Sequence, residues 1–123
     1  MTTLIGIINV SDRASAGVYQ DTPGRAVVAL LERYLTTPFE QVYRVLPDEQ
    51  GQLEEAMCQL ADRDGCCLII TTGGTGPAHR DVTPEATAEV IDIVVPGITE
   101  AIRGTTMKKT PFAMLSRSIA GVR

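Results

Sequence analysis

An α/β fold, with a parallel sheet flanked by helices, is what this sequence predicts, and three observations predict it. Two apolar segments of strand length, Leu4 to Val10 and Cys66 to Thr71, run into Ser11-Asp12 and Gly73-Gly74. Two stretches between them carry apolar residues at helical spacing: Ala26, Val27, Leu30, Leu31, Tyr34 and Leu35, then Leu53, Ala56, Met57, Leu60 and Ala61. A middle strand, Val42 to Leu46 between Pro38 and Pro47, separates the two helices. The order β-α-β-α-β implies parallel strands joined by right-handed crossovers.

The outer two strand segments are continuously apolar, the pattern of strands buried on both faces, and this places Cys66 and Cys67 in the core. Beyond the third strand, Thr83 is a good N-cap and Pro84 a good first helical residue, opening a helix through Ala86, Val90 and Ile91 that stops before Pro96-Gly97. A short helix follows from Ile98, and Thr110-Pro111 restarts a helical stretch through Phe112 and Leu115. Ile93-Val94-Val95 falls outside the core periodicity, so it is either a subunit contact or a fourth short buried segment. Gly121-Val122-Arg123 reads as the approach to a further strand. No repeat or linker divides the chain, and residues 1–123 form a single domain.

Composition narrows the function. A chain of 123 residues with 44% hydrophobic and 21% charged residues can bury an ordinary core, which excludes a disordered or fibrous protein. Eleven Lys and Arg against 15 Asp and Glu give a net charge of −4, the wrong sign for coating nucleic-acid phosphates. The lack of Trp also removes the stacking platforms of single-strand binders. Unbroken apolar runs such as Cys66 to Ile70 fall far short of the roughly 20 residues that span a bilayer. Met1-Thr2-Thr3-Leu4 lacks the positive charge of a signal peptide, and three cysteines form no disulfide framework, so a cytoplasmic location is expected.

In parallel sheets ligands bind beyond the carboxyl ends of the strands. Here those ends run into Ser11-Asp12-Arg13, Pro47-Asp48-Glu49 and Thr72-Gly73-Gly74-Thr75-Gly76-Pro77, with Arg80-Asp81 just beyond. Glycines at 73, 74 and 76 let backbone N–H groups approach an oxyanion, although such a loop can also be only a tight turn. Beside Asp12, Asp48 and Asp81 it suggests phosphates bridged by Mg²⁺, which takes one or two carboxylates and fills its remaining sites with phosphate oxygens and water. Arg13, Arg80 and Arg117 can neutralise remaining charge, or lie on a solvated surface. His79 is the only histidine and no nucleophile elbow accompanies it; with Cys58, Cys66 and Cys67 it lacks zinc-site spacing. Phosphoryl or nucleotidyl transfer, which needs no protein nucleophile, remains.

The stretch from Ser11-Asp12-Arg13-Ala14-Ser15 to Tyr19-Gln20-Asp21, then Pro47-Asp48-Glu49, then Thr72-Gly73-Gly74-Thr75-Gly76-Pro77 with Arg80-Asp81-Val82-Thr83-Pro84-Glu85-Ala86-Thr87, resembles the bacterial molybdopterin adenylyltransferases of the MogA type. Thr110-Pro111-Phe112 through Ser116-Arg117-Ser118 resembles the same family, including the G domains of gephyrin and its plant counterpart. The resemblance implies a three-layer domain with a mostly parallel sheet, and transfer of AMP from Mg·ATP to molybdopterin with release of pyrophosphate. It implies Asp48 and Asp81 as the essential, Mg²⁺-holding acids. Ser11, Asp12, Gly73, Gly74, Thr75, Gly76, Arg80, Ser116 and Arg117 would line the nucleotide and pterin pocket.

His79 stands where relatives often carry a basic residue. The resemblance further implies a homo-trimer and a partner protein for molybdenum insertion. Family members continue through another strand, a Pro-Gly-x-Pro loop and a closing helix, so the natural protein is expected to extend past Arg123. Two other functions fit the same fold: a non-catalytic molybdopterin- or nucleotide-binding carrier or scaffold, and a phosphate-binding regulator that binds ATP without pterin dependence.

Overall fold

Strand β1, Thr3–Val10, is the centre of the molecule, and the computed structural model describes residues 2–18 and 22–123 around it. Residues 5 to 10 of β1 are all buried, and Ile7 and Ile8 have no exposed surface. Both flanks pair in parallel: β2, Phe39–Leu46, on one side, and β3, Leu68–Thr72, on the other, in the order β2-β1-β3.

Alternation along β1 divides the side chains between two layers. Ile8 and Val10 face a core completed by Leu53 and Met57 of α3, Gln50–Cys58, by Leu60, and by Ala86 and Val90 of α4, Thr83–Val90. Leu60 lies in a π-helical turn, Gln59–Arg63, that extends α3. Helix α2, Thr22–Tyr34, covers the other face, where Gly24 packs directly under the Tyr43 ring. A side chain at 24 would overlap that ring, so the glycine sets how closely the helix approaches. Leu53→Ala should cost about 3 kcal/mol, since it opens a cavity at the α3–sheet contact. Urea unfolding checks this.

Several expectations change. β3 begins at Leu68, so Cys66 and Cys67 precede it; Cys66 still packs half-buried against the core, whereas Cys67 is exposed, and β3 is an edge strand with Leu68 45% exposed. Leu30, Tyr34 and Leu35 are also exposed, because a three-stranded sheet gives α2 a floor narrower than its apolar stripe. Ile93–Val94 is neither buried nor part of the main sheet. It forms β4, paired antiparallel with β5, Gly121–Val122, and both strands are exposed. Gly121-Val122 is therefore a strand, but in a separate two-stranded ribbon. The expected short helix at Ile98 is α5, Pro96–Met107, with Pro96 in its first turn; Pro111–Leu115 forms a single 3₁₀ segment.

Candidate functional site

Register brings the three loops together, since Val10 lies beside Leu46 and Asn9 beside Thr72. The first two loops are then stapled reciprocally. Asp12 N–H donates to Asp48 Oδ2 at 3.0 Å, and Asp48 N–H donates to Asp12 Oδ1 at 3.0 Å. Ser11 N–H donates to Leu46 O at 2.8 Å, while the Ser11 hydroxyl caps α1, Asp12–Ser15, by accepting from Ala14 N–H. Arg80 reaches over this pair from the third loop. Its Nη2 and Nε donate to Asp12 at 2.7 and 3.0 Å, and Nη1 to Glu49 Oε1 at 3.1 Å.

The glycine loop runs between the acids. Gly73 and Gly74 have φ of +98° and +68°, the left-handed region that side chains disfavour. A Cβ at Gly73 would overlap the Val10 carbonyl oxygen. At Gly74 it would overlap the Thr83 hydroxyl and stand 3.1 Å from Asp48 Oδ1, and at Gly76 it would stand 2.8 Å from Asp81 Oδ2. Thr83 fixes the loop from beneath: its hydroxyl donates to Gly73 O at 2.9 Å and its N–H to Gly74 O at 3.1 Å. This corrects the expected N-cap, because the hydroxyl is occupied by the loop and the cap position falls to Val82 with no side-chain bond.

Two features give the arrangement groups that could meet an anion and a cation. Among the described residues, no hydrogen bond is donated by the backbone N–H of Gly74, Thr75 or Gly76. Asp48 and Asp81 each commit one oxygen, Asp48 Oδ2 to Asp12 N–H and Asp81 Oδ2 to Ala78 N–H at 3.1 Å, and each leaves the other oxygen uncommitted. Among the described residues, no group of three or more His, Cys, Asp or Glu side chains could hold a metal ion. A cation here would have two protein carboxylates and need ligand oxygens for the rest, as Mg²⁺ does with phosphates.

The two stapled aspartates are tuned in opposite directions. Arg80 beside Asp12, helped by the Asp48 N–H, holds the Asp12 carboxyl below its ordinary value. Burial pushes Asp48 up, and the neighbouring charges of Asp12 and Asp81 add to the rise. Asp12 therefore contributes stability that is present above its unfolded value of 3.8 and is lost as pH falls through the lower folded value. Arg80→Gln should melt below wild type at neutral pH, and the gap in Tm should close on acidification below pH 3.8. A gap independent of pH would contradict the Arg80–Asp12 pairing.

The remaining predicted residues sit around this centre. Arg117 N–H donates to Thr75 O at 2.8 Å and its Nε to Gly76 O at 2.9 Å, so the Ser116–Arg117 segment borders the glycine loop. Ser116 Oγ lies 3.3 Å from Ser118 Oγ. His79 and Arg13 are exposed, and no hydrogen bond or ion pair joins His79 to another described residue. Tyr19-Gln20-Asp21, the end of the first motif, lies outside the described residues.

Sequence reasoning missed Glu49 as a partner of Arg80, Thr83 as the floor of the loop, and Glu85, whose carboxylate pairs with Arg117. It also missed Asn9, 2% exposed two residues before Ser11, whose side-chain Nδ2 has no hydrogen-bond partner. A polar residue inside an apolar strand was the available signal for Asn9; the others are ordinary polar residues in loops and first turns.

Residues 6–122 match the family described as "Probable molybdopterin binding domain". The molybdopterin adenylyltransferase of Helicobacter pylori strain 26695 is 45% identical over 122 residues, an alignment covering 99% of this chain and 69% of that protein. The Escherichia coli K12 protein of the same name is 49% identical over 124 residues, covering 100% and 64%. The chain thus spans about two thirds of these relatives. The crystal structure of the molybdopterin biosynthesis enzyme MoaB from Thermus thermophilus superposes with a TM-score of 0.87 at 45% identity, covering 99% of this chain and 76% of that one. With its acid-flanked glycine loop inside the matched region, this chain belongs to the molybdopterin-binding domain family.

Proposed function

We propose that this domain works in molybdenum cofactor biosynthesis as a nucleotidyltransferase, moving AMP from Mg·ATP to the terminal phosphate of molybdopterin. The observation that carries the proposal is the loop Gly74–Gly76, with three undonated N–H groups, set between two half-committed carboxylates. A phosphate oxygen of molybdopterin attacks the α-phosphorus of ATP, the bond to the β-phosphate oxygen breaks, and pyrophosphate leaves. The attacking phosphate is already largely ionised near pH 7, so no protein base or nucleophile is required. What the chain supplies is placement and charge.

The glycine-loop N–H groups hold phosphate oxygens close to the backbone. The free oxygens of Asp48 and Asp81 would hold Mg²⁺, which offsets phosphate charge when bound. Arg80 is held on Asp12 and Glu49 by three of its five N–H donors, and the other two would be available to phosphate oxygens. Ser11 and Asp12 set the near wall of the pocket and Ser116 with Arg117 the far one. The test uses ATP labelled at the α-phosphate: label should appear on molybdopterin. The carrier or scaffold reading, compatible with the same cradle, is supported instead by tight molybdopterin binding with no label transfer.

The same reading includes a homo-trimer in the cytoplasm, with a partner that inserts molybdenum. Exposed apolar side chains at Ile93, Val94, Phe112 and Met114 support self-association. Light scattering of the native protein should give three times the subunit mass; a monomer at micromolar concentration removes this part.

A further inference from the structure

We propose that Glu85 and Arg103 are positioning residues of the site, acting through Arg117 as an internal strut of the glycine loop. This assignment deepens the adenylyl-transfer reading and rests on it for its kinetic consequence. Arg117 is occupied by the protein itself. Nε donates to Gly76 O at 2.9 Å, Nη2 to Asp81 O at 2.8 Å and to Glu85 Oε1 at 3.2 Å, and Nη1 to Glu85 Oε2 at 2.7 Å. Those four bonds use four of the five guanidinium N–H donors. With its backbone N–H on Thr75 O, Arg117 ties residues 75, 76, 81 and 85 together, Asp81 through its carbonyl.

Glu85 holds this group to the first turn of α4, where a carboxylate also suits the helix dipole. Arg103 of α5 grips the same segment from the opposite side. Its Nη1 donates to Ser118 O at 3.1 Å and contacts Ser116 O and Ser118 Oγ at 3.4 Å, and its Nη2 donates to Thr99 Oγ1 at 3.3 Å. No carboxylate lies within ion-pair distance of Arg103 among the described residues, so its charge is committed to carbonyls and hydroxyls of the brace. An exposed ion pair such as Glu85–Arg117 adds little to global stability. A bidentate fork that also holds two carbonyls fixes geometry, and small misplacement near a reacting phosphate is costly in rate.

The alternative is that Arg117 meets phosphate directly, and the two roles predict opposite signs. As a strut, Glu85→Gln should lower kcat for AMP transfer about tenfold or more with KM for ATP within about twofold and Tm little changed. Arg117→Lys, which keeps the charge and loses the fork, should fail as badly as Arg117→Ala. As a direct phosphate ligand, Arg117 freed by Glu85→Gln should bind ATP more tightly, and Arg117→Lys should retain much of the activity. An independent readout is amide hydrogen exchange measured by mass spectrometry. Exchange over residues 73–81 should quicken in Glu85→Gln and Arg103→Met while β1 stays protected. Quickened exchange in a protein whose wild type transfers no AMP would keep the strut and remove the enzymatic reading. An active wild type with unchanged exchange and kcat in both variants overturns the strut.

Discussion

Asp81→Asn is expected to fold normally and to lose AMP transfer by about a hundredfold or more, the scale set by removing a charge that stabilises phosphoryl transfer. The amide oxygen can still accept from Ala78 N–H, so the local turn survives. The loss falls on the oxygen that the loop leaves uncommitted. Asp48→Asn should match it, because that carboxylate is likewise half-committed and its free Oδ1 lies beside Gly74. Burial disfavours the ionised form of Asp48, so removing the charge should leave Tm at neutral pH unchanged or higher even as activity falls. If the two acids act as one site, the double variant should cost far less than the sum of the singles. Additive losses would assign them separate roles, and wild-type turnover in either single variant would remove the site.

Gly73→Ala should be the most damaging single-methyl change in the molecule. The new Cβ would overlap the Val10 carbonyl oxygen in the central strand, at a φ of +98° that alanine strongly disfavours. What the Cβ meets is Val10 backbone, not a flexible side chain that could yield, and the cost should reach about 3 kcal/mol with the loop displaced from Asp48. Denaturant unfolding measures it. Gly51→Ala, where an added Cβ meets nothing and the residue lies in α3, is the matched control and should be neutral or stabilising. Similar destabilisation at both positions would contradict the role given to Gly73.

The convergence of the three loops was legible because it follows from topology: parallel strands must end together, and Asp12, Asp48 and Gly73 to Gly76 each stand just past an apolar run. What holds them was less legible. Thr83 looks like a helix cap in sequence, since Thr-Pro is a common helix start; only the positive φ of Gly73 and Gly74 turns their carbonyls toward its N–H and hydroxyl. Arg117 and Glu85 are 32 residues apart, and no periodicity links a loop arginine to a distant first turn. Cys67 was misplaced because it extends the apolar run of β3, whereas the ladder with β1 begins at Leu68 and only the Cys67 N–H reaches back to Leu4 O; Cys66, also ahead of the strand, still packs against the core. Ile93–Val94 admitted two readings, a subunit contact or a buried segment, since a two-residue strand in a separate ribbon has the same composition as a buried one; its exposure removes the second.

If the cradle formed by Asp48, Asp81 and the glycine loop turns ATP toward a molybdopterin phosphate, pyrophosphate formation must depend on the pterin. Pyrophosphate release from Mg·ATP by the native protein, measured with and without molybdopterin, tests it most directly. Release is expected only when molybdopterin is present, with one pyrophosphate for each molybdopterin adenylylated, and both should be lost in Asp81→Asn. Pyrophosphate released at the same rate without molybdopterin, or molybdopterin bound with no pyrophosphate formed, would contradict it.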